Sequence, residues 1–254
     1  MSFTPDELKR YSPHFMLEQV GFAGQLKLKS ARVLCIGAGG LGSPLLLYLT
    51  AAGVGTIGIV DDDNVELSNL QRQILYQETH LGHQKALIAK QQLMAVNSNT
   101  HITIYPERFN ASNAESIASQ YDIIADCSDN FLTRYLVNDT AFSLNKPYVF
   151  ASVTQFTGQC ATFLGHQSAC FRCLFPVAPP TDIAPPCTSN GILGVLPGLL
   201  GTLQATEILK WVLGFGNNLS GSLLTIDLLT MKFETLRFQR NTECVLCTQQ
   251  KVTL

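Results

Sequence analysis

Two short cysteine motifs carry the most specific chemistry in the chain. Cys170-Phe-Arg-Cys173 and Cys244-Val-Leu-Cys247 are Cys-x-x-Cys knuckles with 70 residues between them. Together they offer four soft thiolates, the donor set of a tetrahedral Zn²⁺ site. Four protein ligands leave no open position, so such a zinc would clip the C-terminal strand to the body rather than catalyse. Redox-active pairs are the competing reading of the same spacing. Eight cysteines in a chain expected in the cytoplasm argue against a disulfide framework, because thiols there stay reduced. Cys35, Cys127 and Cys160 stand in apolar, strand-like runs and read as inert core residues.

A glycine turn is suited to phosphate. Gly37, Gly39 and Gly42 fit G-x-G-x-x-G, which brings backbone N–H groups and a helix N-terminus close to phosphate oxygens. Asp61, ending the next strand, is the acid expected on ribose hydroxyls. Alone this says nucleotide without saying which. The segment from Asp61 to Gln73 then sets acids and amides beside Arg72, and Gly82-His-Gln-Lys85 adds a lysine at a helix start. A dinucleotide rests its pyrophosphate on the glycine turn, whereas a triphosphate brings about four negative charges that want Arg and Lys clamps. Arg72 and Lys85 therefore suit ATP better than NAD, a solvated Lys85 being the blander alternative. Asp129, in Cys127-Ser-Asp-Asn130, follows a strand end where open α/β sheets bind ligands. One carboxylate there can hold Mg²⁺ while phosphate oxygens and water complete an octahedron. Helix capping by Asp129 or Asn130 is the plainer reading, and the two roles can coexist. His80 and His83 have no acidic or cysteine neighbours at ligand spacing and read as solvent-exposed.

These groups need a frame. Thr4-Pro5-Asp6-Glu7 is a capping box that starts a helix over roughly Pro5 to Glu18. Arg32–Ile36, the glycine turn, a helix through Leu45, Leu49 and Ala52, and Thr56–Val60 make a βαβ unit, hence a parallel sheet. Helices at 84–96, 114–119 and 133–144 alternate with strands at 102–105, 123–126 and 148–150. Beyond Thr157 the pattern changes to a strand at 158–163, a helix from Ile192 to Leu213, and a hairpin of 222–227 with 232–238. The expected fold is α/β, a Rossmann-like doubly wound sheet, parallel in the N-terminal half and extended by antiparallel strands in the C-terminal half. Residues 1–254 read as one domain: an N-terminal helical segment over 1–30, a nucleotide-binding part over 31–156, and a zinc-binding and partner-docking part over 157–254. Pro176 to Ser189 holds five prolines in fourteen residues, too many for a helix or ladder and typical of a crossing over a site.

Composition removes other functions. Charged residues make up 14% against a usual share of about 25%, and a net charge of −2 gives no footprint for nucleic acid. The apolar run from Ile192 is interrupted by glycine and proline and then carries Gln204, Glu207 and Lys210, so it reads as a buried helix and not a membrane span. The acidic start, Ser2 to Glu7, has no signal-peptide character, and the expected compartment is the cytoplasm. A surface this short of charge is expected to be covered in part by a partner, with Ile192 to Leu203 near the core or that interface.

The set Gly37–Gly42, Gly53-Val-Gly55, Asp61–Val65, Ser68–Gln73, Cys127–Asn130, the two cysteine knuckles and Gly201–Ala205 resembles the ThiF/MoeB/HesA family, bacterial relatives of ubiquitin-activating enzymes. The resemblance runs in order over about residues 10 to 248. It implies a homodimer that adenylylates the C-terminal Gly-Gly carboxylate of a ubiquitin-fold sulfur-carrier protein, with Mg-ATP as donor and pyrophosphate as product, toward thiamin or molybdopterin. It places Gly37, Gly39, Gly40 and Gly42 against the nucleotide, Asp61 on the ribose, and Ser68, Asn69, Arg72 and Lys85 toward the phosphates. Asp129 becomes the magnesium ligand and catalytic acid, with Asn130 beside it.

Two departures stand out. The family usually reads Arg-Tyr-Ser/Asn-Arg near the N-terminus, its last arginine entering the partner subunit's ATP site; here Arg10-Tyr-Ser-Pro13 ends in proline. Arg10 or His14 is left to substitute, or adenylylation is slowed. Cys187, in the proline-rich loop, matches a cysteine that carries sulfur in the thiamin branch; a plain free thiol is its alternative. The competing functions are a catalytically weakened carrier-binding homologue and, on the same βαβ unit, an NAD-dependent oxidoreductase.

Overall fold

The computed structural model of the chain describes residues 2–178 and 191–248. The strands are β1 Arg32–Ile36, β2 Thr56–Val60, β3 His101–Tyr105, β4 Ile123–Asp126, β5 Pro147–Thr154, β6 Thr157–Leu164, β7 Ser222–Asp227 and β8 Lys232–Arg237. They form one sheet in the order β3-β2-β1-β4-β5-β6-β7-β8. Pairing is parallel from β3 across to β5 and antiparallel from β5 to β8, as the alternation of elements implied.

The apolar runs of the central strands are continuous because both faces of the sheet are covered. Val33 and Cys35 of β1 point to one core, shared with α3 (Gly21–Ser30), α4 (Gly42–Ala51), α5 (Lys85–Val96) and α9 (Val195–Leu213). Leu34 and Ile36 point to the other, under α6 (Ala114–Ala118), α7 (Phe131–Ser143) and α8 (Phe171–Leu174). In α4, Leu45, Leu46 and Leu49 are fully buried, each contributing about 1.5–3 kcal/mol by leaving water. That burial holds the start of α4, and so the glycine turn, against the sheet.

Several boundaries differ from the sequence reading, each for a local reason. The capping box forms, with Glu7 N–H on Thr4 Oγ1 at 3.2 Å and Thr4 N–H on Glu7 Oε2 at 2.8 Å. The helix it starts, however, stops at Arg10, and a second, α2, covers only Ser12–Phe15. Pro13 has no N–H to continue a ladder. The break lets Tyr11 turn inward, where its hydroxyl accepts from Asn97 Nδ2 at 2.8 Å. Gly53, at φ +84°, makes room: a Cβ there would sit 2.5 Å from the Tyr11 ring. The long C-terminal helix begins at Val195, not Ile192, since Leu193 N–H still bonds to Gln155 O at 3.0 Å beside β5. Leu196 and Leu200 of this run are fully buried in the core, whereas Val195 is exposed. β5 and β6 are longer than their apolar centres suggested, because Ser152 to Thr154 pair with Thr157 to Gln159 although one face there is wet. Among the described residues, no helix is long and apolar enough to cross a membrane.

Candidate functional site

The strand order reverses between β1 and β4, and a cleft of about 480 Å³ opens there at the strands' C-terminal ends. Gly37, Gly39, Gly40, Asp61, Asn69, Arg72, Lys85, Asp129 and Asn130 all line it. Of the residues expected against the nucleotide, Gly42 and Ser68 do not.

Glycine is required in the turn after β1 at two points for different reasons. Gly37 has φ +93°, and a Cβ on it would lie 2.8 Å from Cys127 O. Gly42 packs against the turn itself, since a Cβ there would lie 2.2 Å from Gly37 O. Gly42→Ala must therefore push the turn open, which by overpacking costs about 1–3 kcal/mol. A fall in melting temperature of roughly 5 °C is the expected result in a thermal denaturation, with weakened nucleotide binding; an unchanged melting temperature would contradict this packing.

Asp61 does more than face the cleft. Its Oδ2 accepts from Ala38 N–H at 2.7 Å and its Oδ1 from Asp63 N–H at 3.0 Å, so it ties the glycine turn to the loop after β2. Burial raises its pKa above the usual carboxylate value, with Lys85 opposing. Tyr76, which sequence reasoning missed, buttresses the same turn by donating to Ala38 O at 2.8 Å. Burial and the neighbouring Asp61 raise its pKa and keep the phenol protonated. Nothing in the sequence near Tyr76 marks this role.

The two cations are pre-positioned differently. Arg72 donates from Nη1 to Ser68 O at 3.2 Å and from Nη2 to Asn69 Oδ1 at 3.1 Å. Ser68 and Asn69 thus orient the guanidinium, and the Ser68 hydroxyl turns away to Glu66 at 3.4 Å. Lys85 is not the solvated lysine of the blander reading: its side chain is 5% exposed and pairs with Asp63 at 2.7 Å. Asp63 is a counter-ion that the run of three aspartates hid among equals.

On the opposite wall, Asn130 caps α7 by accepting from Thr133 N–H at 2.9 Å. That settles the capping question and leaves Asp129 exposed, with its carboxylate reached only by Asn130 Nδ2 at 3.4 Å among the described residues. Asp126, three residues earlier, is fully buried, and burial raises its pKa against the opposing Arg134. Cys127 borders the cleft, and Cys127 and Cys160 are raised by burial, in keeping with unreactive core thiols.

The N-terminal candidates sit elsewhere. Arg10 Nη1 donates to Val96 O at 2.9 Å, and His14 Nδ1 lies 2.8 Å from Gln25 Oε1. Both are engaged within their own chain. His83 is exposed as expected, but His80 is half-buried and accepts from Gln77 N–H at 3.1 Å through Nδ1, closing a short turn. Cys187 lies outside the described residues.

The knuckles meet. Cys170, Cys173, Cys244 and Cys247 place their sulfurs within 4.8 Å of one another, with Sγ–Sγ separations of 3.5, 3.6, 3.6 and 3.8 Å for four of the pairs. Four sulfurs at zinc–thiolate bond length about a tetrahedral centre stand about 3.8 Å apart, so the cluster is compatible with a zinc ion. The Cys170 knuckle is pinned to α7: Arg172 forms a two-pronged pair with Asp139, Nε–Oδ1 and Nη2–Oδ2 both 2.7 Å, and Phe171 N–H donates to Asn138 Oδ1 at 2.8 Å.

Against proteins of known sequence, the chain is 48% identical over 252 residues to a sulfur carrier protein adenylyltransferase of Thermus thermophilus, covering 97% of this chain and 93% of that one. It is 43% identical over 251 residues to the adenylyltransferase and sulfurtransferase MOCS3 of Xenopus laevis, covering 98% of this chain and 56% of that one. A probable molybdopterin-synthase adenylyltransferase of Porphyra purpurea is 42% identical over 237 residues, with 93% and 62% covered. Among solved structures, Escherichia coli MccB with ATP has the same fold, with a TM-score of 0.81, 23% identity, and 94% of this chain and 74% of that chain covered. The ThiF family matches residues 11–246. By that match and by its identity to the Thermus enzyme over nearly all of both chains, this chain belongs to the ThiF family.

Proposed function

We propose that this protein uses Mg-ATP to adenylylate the C-terminal Gly-Gly carboxylate of a ubiquitin-fold sulfur-carrier protein, releasing pyrophosphate. The observation that carries the reading is the convergence of the glycine turn, Arg72, Lys85 and Asp129 on one cleft, in a chain so similar to a sulfur carrier protein adenylyltransferase. A carboxylate oxygen of the carrier attacks the α-phosphorus as the bond to the β-phosphate oxygen breaks, so no protein nucleophile is required. Gly39 and Gly40 supply backbone close to the phosphates, Arg72 and Lys85 offset the charge that gathers on them, and Asp61 orients the ribose. Asp129, exposed and among the described residues unpaired by any cation, fits a ligand for the magnesium, which when bound supplies charge neutralisation at the phosphates. The four-cysteine cluster fits a structural zinc. A homodimer is part of this reading, and exposed apolar residues on the N-terminal elements, Met16, Leu17 and Phe22, are available to a second copy.

A second reading is favoured by Pro13 with the engagement of Arg10 and His14. A member lacking the donated arginine binds carrier and ATP but turns over slowly, since such a finger is worth a factor of about 10³ or more in phosphoryl transfer. Pyrophosphate–ATP exchange separates the two. Exchange that appears with a Gly-Gly-ending carrier and vanishes when its last glycine is removed supports adenylylation. ATP and carrier binding without exchange supports the weakened homologue.

A further inference from the structure

Ser128, the residue before Asp129, is held at every polar group it has. Its N–H and Oγ–H donate to Asp126 Oδ1 at 3.1 and 2.6 Å, and its carbonyl accepts from Arg134 Nη2 at 3.3 Å. Asp126 is fully buried and Arg134 is 6% exposed. The guanidinium lies over the rings of Phe131 and Phe150, 5.1 and 5.6 Å from their centroids. Among the described residues, Asp126 Oδ2 and Arg134 Nε have no hydrogen-bond partner. Two buried ionisable side chains, each with an orphan atom, are a poor way to gain stability, because apolar residues of similar volume generally do as well or better. Native proteins satisfy nearly all buried polar groups, so an orphan atom on each of the two residues that hold one peptide requires a reason.

The reason lies one residue on. Asn130 is locked as the cap of α7, and Ser128 is locked by Asp126 and Arg134. Asp129 stands between these fixed points, which set the backbone from which its carboxylate projects into the cleft. We propose that Asp126 and Arg134 are positioning residues: they clamp the Ser128 peptide so that the Asp129 carboxylate meets the divalent cation on the bound triphosphate. The clamp rests on the reading of Asp129 as the metal ligand, and acts through it without touching nucleotide or carrier.

The test uses the full chain and compares Ser128→Ala, Ser128→Thr, Arg134→Lys and Asp129→Ala. Manganese affinity is measured by electron paramagnetic resonance with a non-hydrolysable ATP analogue bound, beside metal-free nucleotide affinity, melting temperature and the kcat of carrier-dependent pyrophosphate release. Ser128→Ala and Arg134→Lys should weaken manganese binding about 10-fold and lower kcat by up to about 10²-fold, the cost of misplacing a reacting group by an ångström. Metal-free nucleotide affinity should stay within twofold, and Ser128→Thr, which keeps the hydroxyl, should restore both losses. If Asp129→Ala loses manganese while folded Ser128→Ala and Arg134→Lys keep wild-type affinity, Asp126 and Arg134 are only a strut and the clamp is overturned. If Arg134→Lys does not fold, the Ser128 pair decides alone. Wild-type manganese affinity in Asp129→Ala would instead remove the reading on which the clamp rests.

Discussion

Asp129→Ala is expected to lower carrier-dependent pyrophosphate release by roughly 10³-fold, a loss of about 4 kcal/mol of transition-state stabilisation. The size follows from position. Charge building up between the α- and β-phosphates can be met by the cleft cations Arg72, Lys85 and Arg108 and by a divalent cation, and Lys85 is already partly neutralised by Asp63 at 2.7 Å. Asp129 is an exposed carboxylate of that cleft, and among the described residues no cation pairs with it. Because Asn130, and not Asp129, caps α7, the substitution should leave the helix intact, with melting temperature and metal-free ATP binding near wild type. Stopped assays at saturating Mg-ATP and carrier are the check. A variant retaining more than a tenth of wild-type kcat would remove Asp129 from the mechanism.

The second large effect concerns the cysteine cluster. Metal analysis of protein purified without added zinc should find about one zinc per chain if the four clustered thiolates hold the ion they are compatible with. Cys173→Ser should lose that metal and lower the melting temperature by more than about 10 °C, since structural zinc contributes apparent free energies of about 10 kcal/mol or more in small domains. Here the cost is moderated by contacts that survive, among them the Arg172–Asp139 pair and Phe171 on Asn138. Loss should therefore centre on the Cys244 knuckle, seen as rapid proteolysis after residue 240 before the sheet unfolds. Metal-free wild type of full stability would sink the claim.

How much of this was legible depended on whether local chemistry or tertiary packing set each residue's role. Gly37 and Gly42 could be read because only glycine tolerates the φ or the contact they have. The cysteines could be read because ligand chemistry imposes their spacing. Arg72 and Lys85 were found by counting charge against a triphosphate, but their supports were not. Asp63 is indistinguishable from Asp61 and Asp62 in sequence and gains its role only because Lys85 folds over it. Arg134 lies in a helix where an arginine ordinarily faces water, and only Phe131, Phe150 and the buried Asp126 show otherwise. The break at Tyr11 was missed for the same reason: a single capping box argued for a long helix, while the pull came from Asn97, far along the chain. The fold class needed none of these details, because the alternation of apolar runs and helical spacing already required a doubly wound sheet.

The cysteine cluster also ties together parts of the chain that are distant in sequence. Its first pair brackets the start of α8, whereas its second pair comes after β8, so α9 and the β7–β8 hairpin lie within the segment that a bound zinc would close. Joining ends so far apart carries an entropic penalty that grows only slowly with length. One ion at these four sulfurs would therefore shorten the reach of the unfolded chain across a long helix and a hairpin together, a staple on the open end of a sheet whose last strand has a neighbour on one side alone.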